Sequence, residues 1–248
     1  MSRKRKRPRL IFVAGTDTGV GKTLMTALLL CHLRQKGERA FAIKPFCSGD
    51  RADAEILCAL QNGDLAIDCI NPYFFADPVT PLVAARLEGK RITLRESVKH
   101  IRGIVESLGR ENAATLLIEG AGGLLSPLGE GFDLHDLIPA LSRRAWNDVW
   151  SPEIKVILVA ANRLGTINHT LLSVRALKKR AVTIVLNDVS PRPNKAPDRI
   201  HNGGIFRELM PGNEVISMPY LGAKLISARL INNQAKRWKT VLGMVLGE

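Results

Sequence analysis

Gly15-Thr-Asp-Thr-Gly-Val-Gly-Lys-Thr23 is the stretch of sequence that decides the fold. It follows a short apolar run, Leu10–Ala14, and leads into apolar residues at helical spacing between Thr23 and Gln35. A glycine-rich turn between a strand and a helix presents backbone N–H groups and the helix N-terminus to an anion. We therefore predict a phosphate-binding loop, with Lys22 on the β- and γ-phosphates of a nucleotide and the Thr23 hydroxyl on Mg²⁺.

The spacing of this loop differs from the usual phosphate-loop pattern, which has a glycine five residues before the glycine of Gly-Lys-Thr. Thr16 stands at that position, and Gly15 lies one residue further back. A glycine-rich turn that binds no nucleotide is the alternative interpretation. The strand before the loop, the helix after it and the intact Gly-Lys-Thr favour the nucleotide site.

Strands and helices alternate along the rest of the chain, which predicts a parallel sheet with helices on both faces. The fold class is therefore α/β, a doubly wound and mostly parallel sheet of the P-loop NTPase type. We expect a basic tail over residues 1–9 and a single domain over residues 10–248. The predicted strands are Leu10–Ala14, Ala40–Ile43, Thr115–Ile118, Val156–Ala161, Val182–Leu186 and Val215–Met218; the predicted helices are Thr23–Gln35, Ala54–Leu60, Pro81–Glu88, Ser97–Leu108, Asn168–Lys179 and Ala223–Trp238. Prolines at 72, 78 and 81 indicate a loop, and residues 129–153 and 190–204 are expected to be loops or irregular helix.

The composition excludes several classes of protein. With 46% hydrophobic and 24% charged residues, the chain is not expected to be disordered or collagen-like. Its longest apolar stretches are far too short to cross a bilayer, and no apolar signal segment follows the start. Cys31, Cys47, Cys58 and Cys69 lack C-x-x-C spacing, which argues against a zinc site or a disulfide framework. We therefore expect a cytoplasmic protein without a membrane partner, in which the cysteines are reduced, buried hydrophobic residues.

The formal net charge of +13 arises from 36 Lys and Arg residues against 23 Asp and Glu residues. Six of these cations lie in the short segment from Arg3 to Arg9. Such a run is typical of a solvated tail, and binding to a polyanion such as nucleic acid is the alternative. No aromatic residue is interleaved with the run, as a base-stacking surface would require. A nucleic-acid partner is therefore not expected.

Polar residues follow the predicted strands at the edge of the sheet where the phosphate loop lies. Because parallel strands deliver their carboxyl ends to one crevice, Lys44 and Ser48, after the second strand, are expected to face the phosphates. Thr23, Asp53 and Glu119 together offer the oxygen ligands that Mg²⁺ prefers. Three glycines that follow Glu119 would let the backbone approach a substrate closely; they are Gly120, Gly122 and Gly123.

Each of these residues also has an ordinary structural explanation. A lysine at a strand end is commonly a solvated surface charge, and an aspartate at a helix start is commonly an N-cap. Asn162–His169 follows another strand, and Asn168 suits a plain helix start as well as a binding site. Asn187 ends the next strand, where its amide matches the donor–acceptor edge of adenine. The position of Lys44 and Asp53 beside a phosphate loop favours the functional interpretation.

Taken together, these segments resemble the dethiobiotin synthetase family, the ATP-dependent carboxylases that make the ureido ring in biotin synthesis. The resemblance runs from about Leu10 to Leu221. Besides the phosphate loop, it is carried by Lys44-Pro45 with Ser48-Gly49, Asp53-Ala54, Asn71-Pro-Tyr73, Glu119-Gly-Ala-Gly-Gly123, Leu164-Gly165 with Ile167-Asn-His169, and Asn187-Asp188. The loop spacing that is unusual for the general pattern is the family's own.

The resemblance implies a reaction and a set of residue roles. Family members join CO₂ to 7,8-diaminononanoate, phosphorylate the carbamate with MgATP and close the ring as phosphate leaves. The residues implied around the carbamate and γ-phosphate are Thr16, Lys22, Lys44 and Ser48, and those implied to hold Mg²⁺ are Thr23, Asp53 and Glu119. The implied nucleotide-binding residues are Gly19, Val20, Gly21, Lys22, Thr23, Leu24, Glu119, Gly120, Gly122 and Gly123, with Asn187, Pro219 and Tyr220 at the base. Gly165 and Asn168 would bind the substrate carboxylate from a partner subunit, because the family works as a homodimer.

Three features depart from the family's pattern. The basic tail Ser2–Arg9 is not expected in the family. Residues 129–153 are longer than usual and hold Trp146 and Trp150. Gly19 occupies a loop position where some members carry an acidic side chain.

A P-loop ATPase switch of the DNA-partition or positioning type is the main alternative function, and in such a protein the basic tail would matter. That group carries an extra lysine early in the loop, where this chain has Asp17. A relative of the cobyrinic acid amide-forming synthetases would need a glutamine-hydrolysing domain, for which the chain is too short. A nucleotide-binding protein without activity is disfavoured because the polar residues at the strand ends are all present.

Overall fold

The computed structural model describes residues 7–108, 114–142, 152–178, 180–191, 196–222 and 227–248. The strands are β1 (Arg9–Gly15), β2 (Ala40–Ile43), β3 (Phe46–Ser48), β4 (Tyr73–Phe75), β5 (Thr115–Glu119), β6 (Glu153–Ala161), β7 (Val182–Asn187) and β8 (Glu214–Met218). The helices are α1 (Lys22–Gln35), α2 (Ala52–Leu60), α3 (Ile67–Ile70), α4 (Pro81–Leu87), α5 (Leu94–Ser107), α6 (Leu134–Ala140), α7 (Thr166–Ala176), α8 (Pro197–Leu209), α9 (Ala228–Arg237) and α10 (Lys239–Leu246). Most of the predicted tail, residues 1–6, lies outside the described residues, and so do Trp146 and Trp150.

The main sheet confirms the predicted fold class. Within the described chain its strand order is β2-β5-β1-β6-β7-β8, and every neighbouring pair is parallel. The apolar runs that predicted the strands are buried along almost their whole length, as expected when helices cover both faces of a parallel sheet. In the part of the chain that the structure describes, no helix is long and apolar enough to cross a membrane.

The direction of each crossover decides the face on which its helix lies. From β1 the chain passes through α1 to β2 at one edge, whereas from β6 it passes through α7 and α8 towards the opposite edge. Because parallel crossovers are right-handed, opposite directions place the helices on opposite faces. In agreement, α1 packs against α2, α9 and α10, while α7 packs against α8 and α5 packs against α6.

The structure differs from the sequence predictions in several elements. The predicted proline-rich loop contains β4, which pairs in parallel with β3 to form a small second sheet. Two segments were predicted to be loops or irregular helix: 129–153 contains α6 in its described part, and 190–204 contains most of α8. The helix predicted over Ala223–Trp238 corresponds to α9 in its described part, and a further helix, α10, follows at Lys239, where none was predicted. The prediction that the cysteines are buried is wrong for Cys69, which is exposed, and Cys58 is only half-buried.

Gln61 fixes the edge strand β2, which carries Lys44 into the candidate site. The Gln61 side chain is fully buried, and its Oε1 accepts from the Ala42 backbone N–H at 2.9 Å. Its Nε2 donates to the Ala42 carbonyl at 3.0 Å and to the Leu57 carbonyl at 2.9 Å. One side chain therefore pairs backbone groups of β2 that no further strand of the sheet reaches.

We expect Gln61→Leu to lower the free energy of unfolding by about 2–4 kcal/mol, because it leaves a buried N–H and two buried carbonyls without these partners. Urea denaturation followed by circular dichroism measures the change. The matched control is Gln35→Leu, since Gln35 is an exposed glutamine bonded to Asn232 at the surface. The control should change stability by no more than about 0.5 kcal/mol. Equal effects of the two substitutions would contradict the assigned role of Gln61.

Candidate active site

The register of three parallel strands brings the predicted site residues together. Val13 of β1 is aligned with Glu119 of β5, and Ile43 of β2 is aligned with Ile118. The residue after Ile43, Lys44, therefore lies beside Glu119, and the phosphate loop begins two residues after Val13. Strand register alone thus places a lysine, a glutamate and the loop at one edge of the sheet.

The Lys44 ammonium lies among the three side chains that were predicted to hold a metal. Its Nζ donates to Glu119 Oε1 at 2.7 Å, to Thr23 Oγ1 at 3.4 Å and to Asp53 Oδ2 in a short contact. The Thr23 hydroxyl also donates to Glu119 Oε1, at 2.6 Å. Thr23, Asp53 and Glu119, which come from three separate elements, therefore meet around one positive charge.

The nearby carboxylates keep the Lys44 ammonium charged. The Glu119 side chain has no solvent exposure and that of Lys44 has 9%, whereas that of Asp53 is 49% exposed. Burial alone would lower the pKa of Lys44, but the Glu119 and Asp53 carboxylates outweigh burial and raise it above its ordinary value. Lys44 is therefore a permanent cation paired with a buried carboxylate.

Lys22 is held differently, by backbone carbonyls. Its Nζ donates to the Asp17 carbonyl at 2.8 Å and to the Gly122 carbonyl at 2.7 Å. Burial lowers the pKa of Lys22 to about 8, and the positive charge of Lys44 acts in the same direction. The side chain folds back over Gly15, where an added Cβ would lie 2.9 Å from the lysine Nζ. Gly15, which lies one residue before the first glycine of the usual phosphate-loop pattern, therefore leaves room for the Lys22 side chain.

Asn187 at the end of β7 supports the phosphate loop directly. Its Nδ2 donates to the Val20 carbonyl at 2.9 Å. Gly21, which follows Val20, has φ +96°, and a Cβ there would lie 2.2 Å from the Asn187 amide nitrogen. The loop therefore needs glycine at this position for both its backbone conformation and its contact with Asn187. The contacts of Asn187, Pro219 and Tyr220 with a base remain predictions.

A cavity of about 770 Å³ lies over this cluster. The predicted site residues that line it are Gly19, Gly21, Lys22, Thr23, Lys44, Ser48, Asp53 and Gly122. Among the described residues, the buried Ser48 Oγ and Glu119 Oε2 have no hydrogen-bond partner. Buried polar atoms without partners are rare, so these two atoms mark places where a bound group would complete the site.

A second cavity of about 530 Å³ adjoins the first and shares Ser126 with it. Its lining includes the predicted residues Thr16 and Gly123 together with His169, Leu172 and Ser173 of α7. The described lining of neither cavity includes Gly165 or Asn168, which are exposed at the start of α7. Leu24 packs partly buried against the core, and Gly120 donates its N–H to the Val13 carbonyl.

Sequence reasoning missed several residues of the first cavity. Asp50, Pro78–Pro81 and Ser126 line it, and so does Cys47. Ser126 accepts from the Gly123 N–H at 2.9 Å, so the end of the glycine run could have drawn attention to it. Pro78–Pro81 gave no such signal, because only the pairing of β3 with β4 brings that segment to the cavity. Burial raises the pKa of the Cys47 thiol to about 12, so this group stays neutral.

The cluster has the donor set of a divalent-cation site. Hydroxyl and carboxylate oxygens from Thr23, Asp53 and Glu119 surround an ammonium, and Glu119 keeps one oxygen without a partner among the described residues. Hard cations such as Mg²⁺ prefer such oxygens and retain several waters, for which the adjoining cavity leaves space. The residues present therefore fit Mg²⁺.

Comparison with known proteins identifies the family of the chain. A family model described as an AAA domain matches residues 9–205. The chain is 35% identical over 190 residues to an ATP-dependent dethiobiotin synthetase of Bacillus licheniformis, covering 73% of this chain and 74% of the relative. It is 40% identical over 186 residues to an enzyme of the same name from Anaeromyxobacter, covering 72% and 76% of the two chains.

A solved structure with a similar fold is the MinD cell division protein of Aquifex aeolicus, with a TM-score of 0.54, 15% identity and coverage of 97% and 98%. At that identity the likeness supports the fold alone. The family is decided by the two sequence relatives, which have the same name and match 73% and 72% of this chain. The chain therefore belongs to the family of ATP-dependent dethiobiotin synthetases, a family of ligases, as its motifs predicted.

Proposed function

We propose that this chain is a dethiobiotin synthetase, which converts 7,8-diaminononanoate, CO₂ and MgATP into dethiobiotin, ADP and phosphate. The observation that carries the proposal is the convergence of Lys22, Lys44 and Ser48 on one cavity beside the phosphate loop, in a chain of this family. Such a cavity offers two cations and a hydroxyl to a carbamate and a triphosphate. A biosynthetic enzyme that consumes ATP belongs in the cytoplasm, which is the location we propose.

The proposed reaction has three steps. One substrate amine bonds to CO₂ and loses a proton, which gives a carbamate. A carbamate oxygen then bonds to the γ-phosphorus of ATP as the bond to ADP breaks, which gives a carbamic-phosphoric anhydride. The second amine attacks the carbonyl carbon and loses a proton, and phosphate leaves as the ring closes. Two anions must meet in the second step, so the main demands on the protein are positioning and charge neutralisation.

The residues of the cavity suit these demands. Lys22 and Lys44 would neutralise the carbamate and the γ-phosphate. The Ser48 Oγ, which has no partner among the residues that the structure describes, would donate to a carbamate oxygen. Thr16, which lines the adjoining cavity, would contact the substrate from the other side of the loop. Donors fixed in advance by the fold cost no reorganisation when charge develops on the transferred group.

The nucleotide would follow the phosphate loop from Gly19 to Leu24, with its base near Asn187, Pro219 and Tyr220. Thr23, Asp53 and Glu119 would hold Mg²⁺, which when bound neutralises charge on the β- and γ-phosphates. The glycine run after Glu119 would lie along the nucleotide, since Gly122 already lines the same cavity.

A homodimer would complete the substrate site. Gly165 and Asn168 do not line the described cavities of their own chain. They would instead contact the carboxylate of a substrate molecule whose remaining part is bound by a second copy of the chain. The neighbouring Leu164 is 92% exposed, and Leu125 and Leu172, which line the second cavity, are more than half exposed. Exposed apolar side chains grouped beside a cavity are typical of an interface.

Purified protein with MgATP and bicarbonate is expected to release phosphate only when 7,8-diaminononanoate is present, because the carbamate is the phosphoryl acceptor. A phosphate assay measures the release, and mass spectrometry identifies dethiobiotin. The matched control is nonanoate, which has the same carboxylate but no amine and therefore cannot form a carbamate. ATP hydrolysis at an equal rate without any amine would refute the proposal and favour the ATPase switch.

Ser48→Ala is expected to lower kcat/KM for the diamine about 10- to 100-fold, because a hydrogen bond to a charged group contributes about 1.5–3 kcal/mol. Nucleotide affinity, measured by calorimetry with MgADP, should stay unchanged. Ser107→Ala serves as the control, since the Ser107 hydroxyl donates to the Ile104 carbonyl within α5 and does not belong to the described lining of the cavity. Unchanged kcat/KM in Ser48→Ala would remove this hydroxyl from the substrate site.

Leu164→Asp is expected to convert a dimer into a monomer and to raise KM for the diamine about tenfold or more, because a buried, unpaired carboxylate opposes an apolar interface. Light scattering coupled to gel filtration gives the mass, and steady-state kinetics give KM. Leu230→Asp on α9, at another exposed leucine, should leave both unchanged. A monomeric wild-type protein at micromolar concentration would contradict the shared site.

A further inference from the structure

We propose that the Lys44 ammonium is a resident counter-ion at the metal position, and that Lys44 is freed for the substrate anion only when a divalent cation takes its place. Binding of the cation and delivery of the lysine would then be a single coupled event. This inference rests on the proposed function, because it concerns the lysine that the proposed reaction uses.

The hydrogen bonds of Lys44 are the first argument. A lysine ammonium has three N–H donors and no acceptor. The three acceptors around Lys44 are Asp53 Oδ2, Glu119 Oε1 and Thr23 Oγ1, so each donor has a partner. In this arrangement Lys44 has no N–H left for a carbamate or a phosphate, and it must leave the cluster before it can act on either.

Charge is the second argument. Lys22, Lys44, Asp53 and Glu119 carry formal charges that cancel. A divalent cation bound by Thr23, Asp53 and Glu119 would meet the Lys44 ammonium at the same oxygens, where like charges at contact distance repel strongly. The two cations therefore compete for one position, and each one present weakens the binding of the other.

The backbone around Lys44 shows that only its side chain needs to move. The Lys44 N–H donates to the Ile70 carbonyl at 3.0 Å, and its own carbonyl accepts from Asn71 Nδ2 at 2.9 Å. Gln61 fixes the preceding strand residues through Ala42. Lysine has a flexible four-carbon stem, and Lys44 already lines the cavity that contains Ser48 and Lys22. Rotation of the side chain would bring its ammonium into that cavity without any change in the fold.

The test measures binding of Mn²⁺, in place of Mg²⁺, to the protein without nucleotide, by the electron paramagnetic resonance signal of free Mn²⁺. Lys44→Met removes the charge and keeps the length of the side chain. Lys44→Arg keeps the charge. Lys90→Met is a distant control, because Lys90 pairs with Glu88 on the surface.

Lys44→Met is expected to bind Mn²⁺ at least about tenfold more tightly than wild type, because the competing charge is gone. Lys44→Arg and Lys90→Met should stay within about threefold of wild type, because neither removes a cation from the cluster. Equal or weaker Mn²⁺ affinity in Lys44→Met would overturn the proposal, and so would a failure of both proteins to bind Mn²⁺.

A second measurement keeps the proposal testable if Lys44→Met does not fold. Wild-type protein is acetylated with acetic anhydride, with and without Mg²⁺, and mass spectrometry quantifies modification of Lys44. We expect Mg²⁺ to increase acetylation of Lys44 several-fold while acetylation of Lys90 stays constant. Unchanged protection of Lys44 at saturating Mg²⁺ would overturn the proposal.

These measurements are independent of the proposed reaction. If wild-type protein forms no dethiobiotin but the Mn²⁺ and acetylation results are as expected, the proposed function fails and the exchange of cations stands. If dethiobiotin forms and Lys44 stays protected with Mg²⁺ bound, the exchange fails and the proposed function stands.

Discussion

The buried carboxylate of Glu119, at the end of a central strand, is the constraint on which the rest of the site depends. A carboxylate with no solvent exposure is destabilising unless a cation and hydrogen-bond donors compensate it. The compensation comes from Lys44 on the neighbouring strand and from the Thr23 hydroxyl at the start of α1. Both partners reach Glu119 only because β1, β2 and β5 are parallel and in this register. The same strand pairing therefore stabilises the sheet and assembles the chemical groups.

The two lysines of the site differ in what stabilises their charge. Lys44 lies between two carboxylates, which raise its pKa, so the protein alone keeps it charged. Among the described residues, the hydrogen-bond partners of Lys22 are two backbone carbonyls, and burial lowers its pKa to about 8. A phosphate beside Lys22 would add its negative charge to that of the nearby Glu119, Asp53 and Asp17 carboxylates and raise the pKa of Lys22. Lys22 is thus suited to respond to the nucleotide, whereas Lys44 is suited to respond to a cation bound by Asp53 and Glu119.

The sequence predicted the strands of the main sheet and the phosphate loop because both have strong local signals. Apolar runs identify buried parallel strands, and an intact Gly-Lys-Thr between a strand and a helix identifies the phosphate loop. Local signals failed where distant contacts decide the structure. Helix α8 contains Gly203 and Gly204, which weaken helix propensity, yet Asn202 donates to Asn162 and Phe206 is fully buried. Strands β3 and β4 have three residues each, which is too short to show an alternation of apolar and polar residues. The stacking of Phe46 on Tyr73, which joins the two strands, cannot be recognised from the sequence.

The net charge of +13 does not arise at the candidate site. The charges of Lys22 and Lys44 are cancelled there by Asp53 and Glu119, and Asp50 adds a further negative charge to the lining of the cavity. Long-range attraction by the site itself would therefore be weak for a free triphosphate, which carries several negative charges. Affinity must come instead from the loop amides and the helix N-terminus, which act at short range. When a triphosphate binds together with Mg²⁺, the metal ion would offset part of the negative charge of the phosphates. The same ion would be a suitable partner for the Asp53 and Glu119 carboxylates. Under the proposed function, we therefore expect this site to bind the magnesium complex in preference to the free nucleotide.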